Sequence, residues 1–195
     1  MTQTQPVYEA HPLEPFLPHD ARLLMLGSFP PKQERWSMHF FYPNWINDMW
    51  RIMGLIFYND RHHFEVAGVK SFDRERIVDF CLSKGIALYD TARVVRRLKD
   101  NASDKFLEVV EPTDVPALLQ SLPQCSTIVT TGEKATDALC VLLGVERPAV
   151  GGYVEGHCAG RLVRLYRMPS SSRAYPLALD KKAEIYRTLF EYLGM

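Results

Sequence analysis

The sequence predicts an α/β fold, a three-layer α/β/α arrangement around a central, mostly parallel four-stranded sheet. Three observations point there. Short runs at residues 22–27, 86–89 and 126–131, largely apolar in the first two and β-branched in the third, have the length and content of buried strands. After each run, the next ordered segment carries its apolar residues at helical spacing. Strands that alternate with helices favour parallel pairing, because a crossover element joins neighbouring parallel strands. The 195 residues suffice for one domain with a sizeable core. That domain is expected to span 1–195, with 1–20 as an irregular leader.

Each element has its own signal. Residues 22–27 end at Gly27, and Pro30 and Pro31 prevent the strand or a helix from continuing. From Asn44 onward the period changes, with Ile46, Met49, Trp50, Met53, Ile56 and Phe57 on one helical face. Ser71 is the expected N-cap of a helix carrying Ile77, Phe80 and Cys81, closed by Lys84 and Gly85. Residues 86–89 form the second strand, ending at Asp90, and residues 91–111 read as charged and irregular. Thr113 or Asp114 opens a short helix with Pro116 in its first turn. The third strand covers 126–131 and is followed by a helix over 133–143. Residues 161–167 alternate as a half-buried strand does. Ile185, Tyr186, Leu189, Phe190 and Leu193 make the last helix amphipathic.

Composition narrows the class. Lys plus Arg and Asp plus Glu are both 23, giving a formal net charge of zero. Any nucleic-acid surface must therefore come from local distribution of charge, not from the sum. The four cysteines are far apart and form no CxxC pair, so a disulfide framework or zinc site is not expected. His62-His63 and His157-Cys158 lack further ligands at zinc spacing. The polar, proline-rich start has no apolar signal core, and no stretch has the length of a membrane span. A soluble, cytoplasmic monomer with no membrane partner is the expectation.

In parallel α/β sheets the ligand lies beyond the carboxyl ends of the strands. That rule selects the loops beginning at Gly27, Asp90, Thr131 and Met168. Their sequences, Gly27-Ser-Phe-Pro-Pro31, Gly85-Ile-Ala-Leu-Tyr-Asp90 and Met168-Pro-Ser-Ser-Ser172, together with Phe40-Phe-Tyr-Pro43 followed by Asn47-Asp-Met-Trp50, resemble the motifs of the uracil-DNA glycosylase superfamily. Within it they resemble the hypoxanthine-DNA glycosylase and mismatch-specific branch. The resemblance runs from about residue 22 to the C-terminus. It implies a uracil-DNA glycosylase-like fold and hydrolysis of the N-glycosidic bond of a deaminated base, uracil or hypoxanthine, in DNA for base excision repair. The partner implied is DNA containing such a base, bound with base flipping. Three departures stand out. Phe29 occupies the place of a water-activating Asp or Asn in many relatives, and Met168 that of a base-contacting His in some. Pro43 and Asn47 are two residues further apart than in the branch.

Breaking this bond creates a cationic sugar and an anionic base, so charge must be stabilised on both halves and water positioned. Neither metal nor redox cofactor is called for. Asn47 is the first catalytic candidate, since an amide donates and accepts together; its alternative is a helix-start cap. Asp48 reads as an ordinary first-turn acid. Asp90 is the second catalytic and base-reading candidate, with a turn-capping acid as its alternative. Gly27 and Ser28 line the base site by the resemblance. Phe40 or Phe41 would stack on the base, and Phe29 would stack or wall the pocket; core packing is the alternative for all three.

Ser170, Ser171, Ser172 and Arg173 would meet the DNA backbone, with Tyr175 or Leu177 as a wedge. The alternative for the serines is a solvated turn. Basic residues cluster at Arg93, Arg96, Arg97 and Lys99, at Arg164, Arg167 and Arg173, and at Lys181 and Lys182. A solvated face is the commoner meaning of such runs. A competing class is a catalytically silent protein that binds damaged or flipped bases. A small-molecule hydrolase ranks last, because the serines lack a GxSxG-type signature.

Overall fold

The computed structural model describes residues 7–98 and 106–195; Lys99 lies outside the described residues. In chain order the strands are β1 (Tyr8–Ala10), β2 (Leu23–Gly27), β3 (Ile86–Asp90), β4 (Ala92–Arg97), β5 (Leu107–Pro112), β6 (Thr127–Thr131), β7 (Tyr153–Cys158) and β8 (Arg161–Met168). The helices are α1 (Met49–Tyr58), α2 (Arg74–Lys84), α3 (Val115–Gln120), α4 (Glu133–Leu143) and α5 (Leu179–Tyr192).

The mixed α/β class is as expected, but the main sheet has five strands, not four, in the order β3-β2-β6-β8-β7. β2, β3, β6 and β8 are mutually parallel, and β7 adds antiparallel to β8. All five residues of β2, of β3 and of β6 are buried. β2 and β3 are mainly apolar, as a strand covered on both faces requires, and β6, Thr-Ile-Val-Thr-Thr, is β-branched throughout. β7 escaped notice because only Gly156 and Cys158 along it are buried.

The chain moves one way along the sheet from β2 to β3 and the other way from β6 to β8. Right-handed crossovers then put the connecting helices on opposite faces. Aromatic packing agrees: Phe57 of α1 meets Phe80 of α2 and Phe190 of α5, each at 5.0 Å between ring centroids. α4 instead packs against β6 and β7.

A second, three-stranded antiparallel sheet, β1-β4-β5, forms where irregular chain was expected. Between Ala92 and Val95 the register shifts twice. That irregularity breaks the two-residue period by which a strand is read. The leader contributes as well: β1 pairs with β4, and Phe16 bridges to Leu88. Helix ends follow local chemistry. Asp73, not Ser71, caps α2 by accepting the Arg76 N–H, while Ser71 Oγ donates to the Ser37 carbonyl. Gly85 ends α2 in the left-handed region at φ 64°, and a Cβ there would lie 2.9 Å from the Asp20 carbonyl. Asp114 caps α3 through the Ala117 N–H, with Pro116 in the first turn.

Candidate active site

Register fixes the level of the site. Gly27 is opposite Asp90, Leu26 opposite Thr130, and Thr131 opposite Met168. The four loops singled out in the sequence therefore start together at the carboxyl edge of the parallel strands.

Asp90 is the centre of this edge. Its side chain is 10% exposed. Thr113 Oγ1 donates to the Asp90 carbonyl at 2.7 Å. The carboxylate lies across Gly27, where a Cβ would be 2.5 Å from Asp90 Oδ1 and 3.8 Å from Thr131 Oγ1. Only a glycine lets the end of β2 pass so close to the acid. Asp90 Oδ2 accepts a hydrogen bond from His11 Nε2 at 3.0 Å. The other ring nitrogen is held by Leu13, whose N–H lies 3.1 Å and whose carbonyl lies 2.9 Å from His11 Nδ1. With or without a proton on Nδ1, the imidazole finds a backbone partner.

Tyr42 completes the wall. Its hydroxyl is 3.0 Å from Thr131 Oγ1. Desolvation, and next the nearby Asp90 charge, push that hydroxyl far above the ordinary tyrosine range, so it stays protonated. Tyr42 also holds a left-handed backbone at φ 51°, unusual for a bulky residue and doubly so before Pro43. Such strain persists where surroundings impose it. The sequence selects the Thr131 loop but gives no role to its hydroxyl, to the Tyr42 hydroxyl or to His11. For Tyr42 the usable signal was its place in the aromatic run before a proline.

The remaining candidates divide. Phe29 is 9% exposed and packs with Ala92, Val95 and Leu107 in a small cluster of its own. It also meets the His11 ring edge-on at 5.3 Å. Phe41 lies 6.2 Å from His11 and 6.3 Å from Tyr89, so it borders the site. Phe40 packs away from His11, against Phe16 and Trp50 in the main core. Ser28 Oγ is the one buried side-chain polar atom without a partner among the described residues.

Asn47 and the serine loop meet by a backbone bridge between Asn47 and Ser172, and the Asp48 N–H donates to the Ser171 carbonyl at 2.8 Å. The Asn47 side-chain oxygen accepts the Met49 N–H at 2.9 Å, a local cap at the start of α1. Ser170 and Ser172 hydroxyls accept backbone N–H groups of their own loop, from Ser172 and Ala174. Ser171 is 3% exposed, Tyr175 is half-buried and Arg173 is exposed.

Asp48 is not an ordinary first-turn acid. It is buried and receives Arg173 Nε at 3.0 Å and Lys182 Nζ at 3.3 Å. Lys182, 0% exposed, also donates to the Ser172 carbonyl at 2.8 Å. This network ties α1, the serine loop and α5 together.

Most of the basic clusters are neutralised internally. Arg96 pairs with Glu108, Arg97 with Glu9, Arg164 with Glu155 and Lys181 with Glu184. Arg93, by contrast, is exposed beside the site. Among the described residues no three His, Cys, Asp or Glu side chains gather around a common point. No helix among them is long and apolar enough to cross a membrane.

The fold is mixed α/β, and the carboxyl ends of its four parallel strands bring Gly27, Asp90, Thr131 and Met168 to one edge. No family model matches the chain, and no curated protein does. Among solved structures it is similar to the solution NMR structure of a protein from Methanosarcina acetivorans, described as a "putative Uracil DNA glycosylase". The TM-score is 0.61 at 20% identity, over 93% of this chain and 98% of that one. At this identity the likeness is one of fold.

Proposed function

We propose that this chain is a single-domain DNA glycosylase that hydrolyses the N-glycosidic bond of a deaminated base, uracil or hypoxanthine, in DNA. It would be a cytoplasmic monomer of the hypoxanthine-DNA glycosylase and mismatch-specific kind. One observation carries the reading. A buried carboxylate, Asp90, lies against Gly27 at the strand-end level where four motif-bearing loops converge. The chain's fold is similar to that of a protein described as a "putative Uracil DNA glycosylase".

In this reading the base enters beside Asp90, whose carboxylate accepts the ring N–H. Phe41 and Phe29 wall the ring, and the backbone at Gly27 and Ser28 approaches the base edge. Water adds to the sugar C1′ as the C1′–N bond breaks, the electron pair leaves on the base, and the proton released by the water neutralises the base anion. Asn47 lies at the seam between α1 and the serine loop; its oxygen accepts the Met49 N–H, and its amide N–H donors are the groups that would orient water. Ser170, Ser172, Arg173 and Tyr175 face the backbone of the strand, while Ser171, assigned there from the sequence, is buried and holds the loop to Asp48 instead.

A second reading, a silent binder of damaged bases, is favoured by a specific observation. Both candidate catalytic groups are engaged, Asp90 Oδ2 by His11 and Asn47 Oδ1 by the helix start.

Labelled duplexes bearing uracil or hypoxanthine, followed by alkaline cleavage, separate the two. Strand breaks with wild type, lost at least about 100-fold in Asp90→Ala, are expected. Tight lesion binding without breaks establishes the silent binder instead. Full activity in Asn47→Ala removes that residue from the chemistry and leaves the glycosylase standing.

A further inference from the structure

The leader is unevenly attached. β1 pairs with β4 over three residues, Glu9 bridges to Arg97, and Phe16 bridges to Leu88. Tyr8, Ala10, Pro12 and Glu14 are exposed. Between them the His11 imidazole is driven inward, at 2% exposure, and Leu13 packs against the main core.

That ring is a flat heterocycle in a place built for one. A ring nitrogen meets the buried Asp90 carboxylate. Three aromatic rings surround it, Tyr89 at 4.6 Å, Phe29 at 5.3 Å and Phe41 at 6.2 Å. An acceptor for a ring N–H and aromatic walls are what a nucleobase needs from a pocket. The neighbouring loop holds Gly27 against Asp90 Oδ1 and carries the unpartnered Ser28 hydroxyl. A buried hydroxyl without a partner asks for an explanation.

We propose that the Asp90 pocket is a binding site for a planar heterocycle bearing a ring N–H, that His11 is its resident occupant, and that a base enters by displacing the leader. The choice of a DNA base as ligand rests on the glycosylase reading; the displacement does not. A resident occupant lowers the apparent affinity of any competitor by the fraction of time the pocket is free.

Hydrogen exchange of residues 8–17, followed by mass spectrometry in the full chain, tests this. The probes are uracil, hypoxanthine and imidazole at millimolar concentration, and a duplex carrying a non-cleavable deaminated nucleotide. The duplex, and at least one free heterocycle, should speed leader exchange several-fold. His11→Ala should speed it without ligand and tighten duplex binding by roughly tenfold, the scale of one charge-assisted hydrogen bond. A leader that stays protected while the duplex is bound overturns the proposal, as does weaker duplex binding by His11→Ala. If wild type neither binds nor cleaves any duplex, the glycosylase reading falls alone. The free heterocycles then decide the displacement, and unchanged exchange with all of them overturns it. Should His11→Ala not fold, His11→Gln, which keeps an amide donor without the ring, is expected to show the same effects at smaller size.

Discussion

A methyl group at residue 27 would fall on a carboxylate oxygen, at 2.5 Å. Gly27→Ala must therefore push the Asp90 side chain aside, since the β2 backbone is held on both edges. An ångström of misplacement at a reacting group costs about 100-fold in rate, while overpacking costs about 1–3 kcal/mol of stability. Excision should fall by about two orders of magnitude while a cooperative urea transition persists; equal activity would show that Asp90 need not be held where it is. Gly27 and Asp90 were legible because both end apolar runs, where strand-end chemistry is expected. His11 was not. Its partner is 79 residues away in the chain, and a lone histidine in a proline-rich leader has no period or spacing to mark it. Asp48 was misread for a similar reason: a first-turn acid looks the same whether it faces water or, as here, a buried lysine.

At the level of elements, the Asp48–Lys182 contact is the joint between α1, α5 and the serine loop. Removing one partner of a buried pair leaves the other charged and uncompensated. Asp48→Ala should lower unfolding stability by about 3–5 kcal/mol, read from the denaturant midpoint at constant slope. Asp48→Leu with Lys182→Met should recover most of that loss, because the two effects share one contact. Recovery in the double variant without recovery of DNA binding would show that the joint also places Arg173. Elements were legible where burial was continuous. β2 and β3 announced themselves by apolar runs, β6 by a β-branched run, and α4 and α5 by a helical face. β4 and β5 did not, since a register shift and few buried side chains leave no alternation to read. β7, a half-covered edge, failed for the same reason.

The whole molecule stores protons on buried neutral groups. Burial pushes the Cys125 thiol up to about 11 from 9.0 and raises Cys81, Tyr42 and Tyr186 as well. Each group binds its proton more tightly folded than unfolded. Their contribution is intact below the unfolded values, 9.0 for the thiols and 10.0 for the tyrosines, and is lost as pH rises toward the folded values. Cys125 alone corresponds to about 2–3 kcal/mol lost between pH 9 and 11. Urea midpoints should hold steady from pH 7 to about 9 and then fall steeply. The buried thiols Cys81 and Cys125 should resist a thiol reagent at pH 8 until denaturant is added; fast labelling of the folded chain would contradict their burial.

One feature of the sheet sets a timetable. β2 is the first fully buried strand to leave the ribosome, yet Leu23 pairs with Ile86 on one edge and with Thr127 on the other. At ordinary translation speeds the second of these arrives roughly 5–20 seconds after the first strand is made. For that interval Leu23, Leu24, Met25 and Leu26 form an apolar edge with no permanent neighbour, so nascent chains halted before β6 should be the ones that chaperones hold.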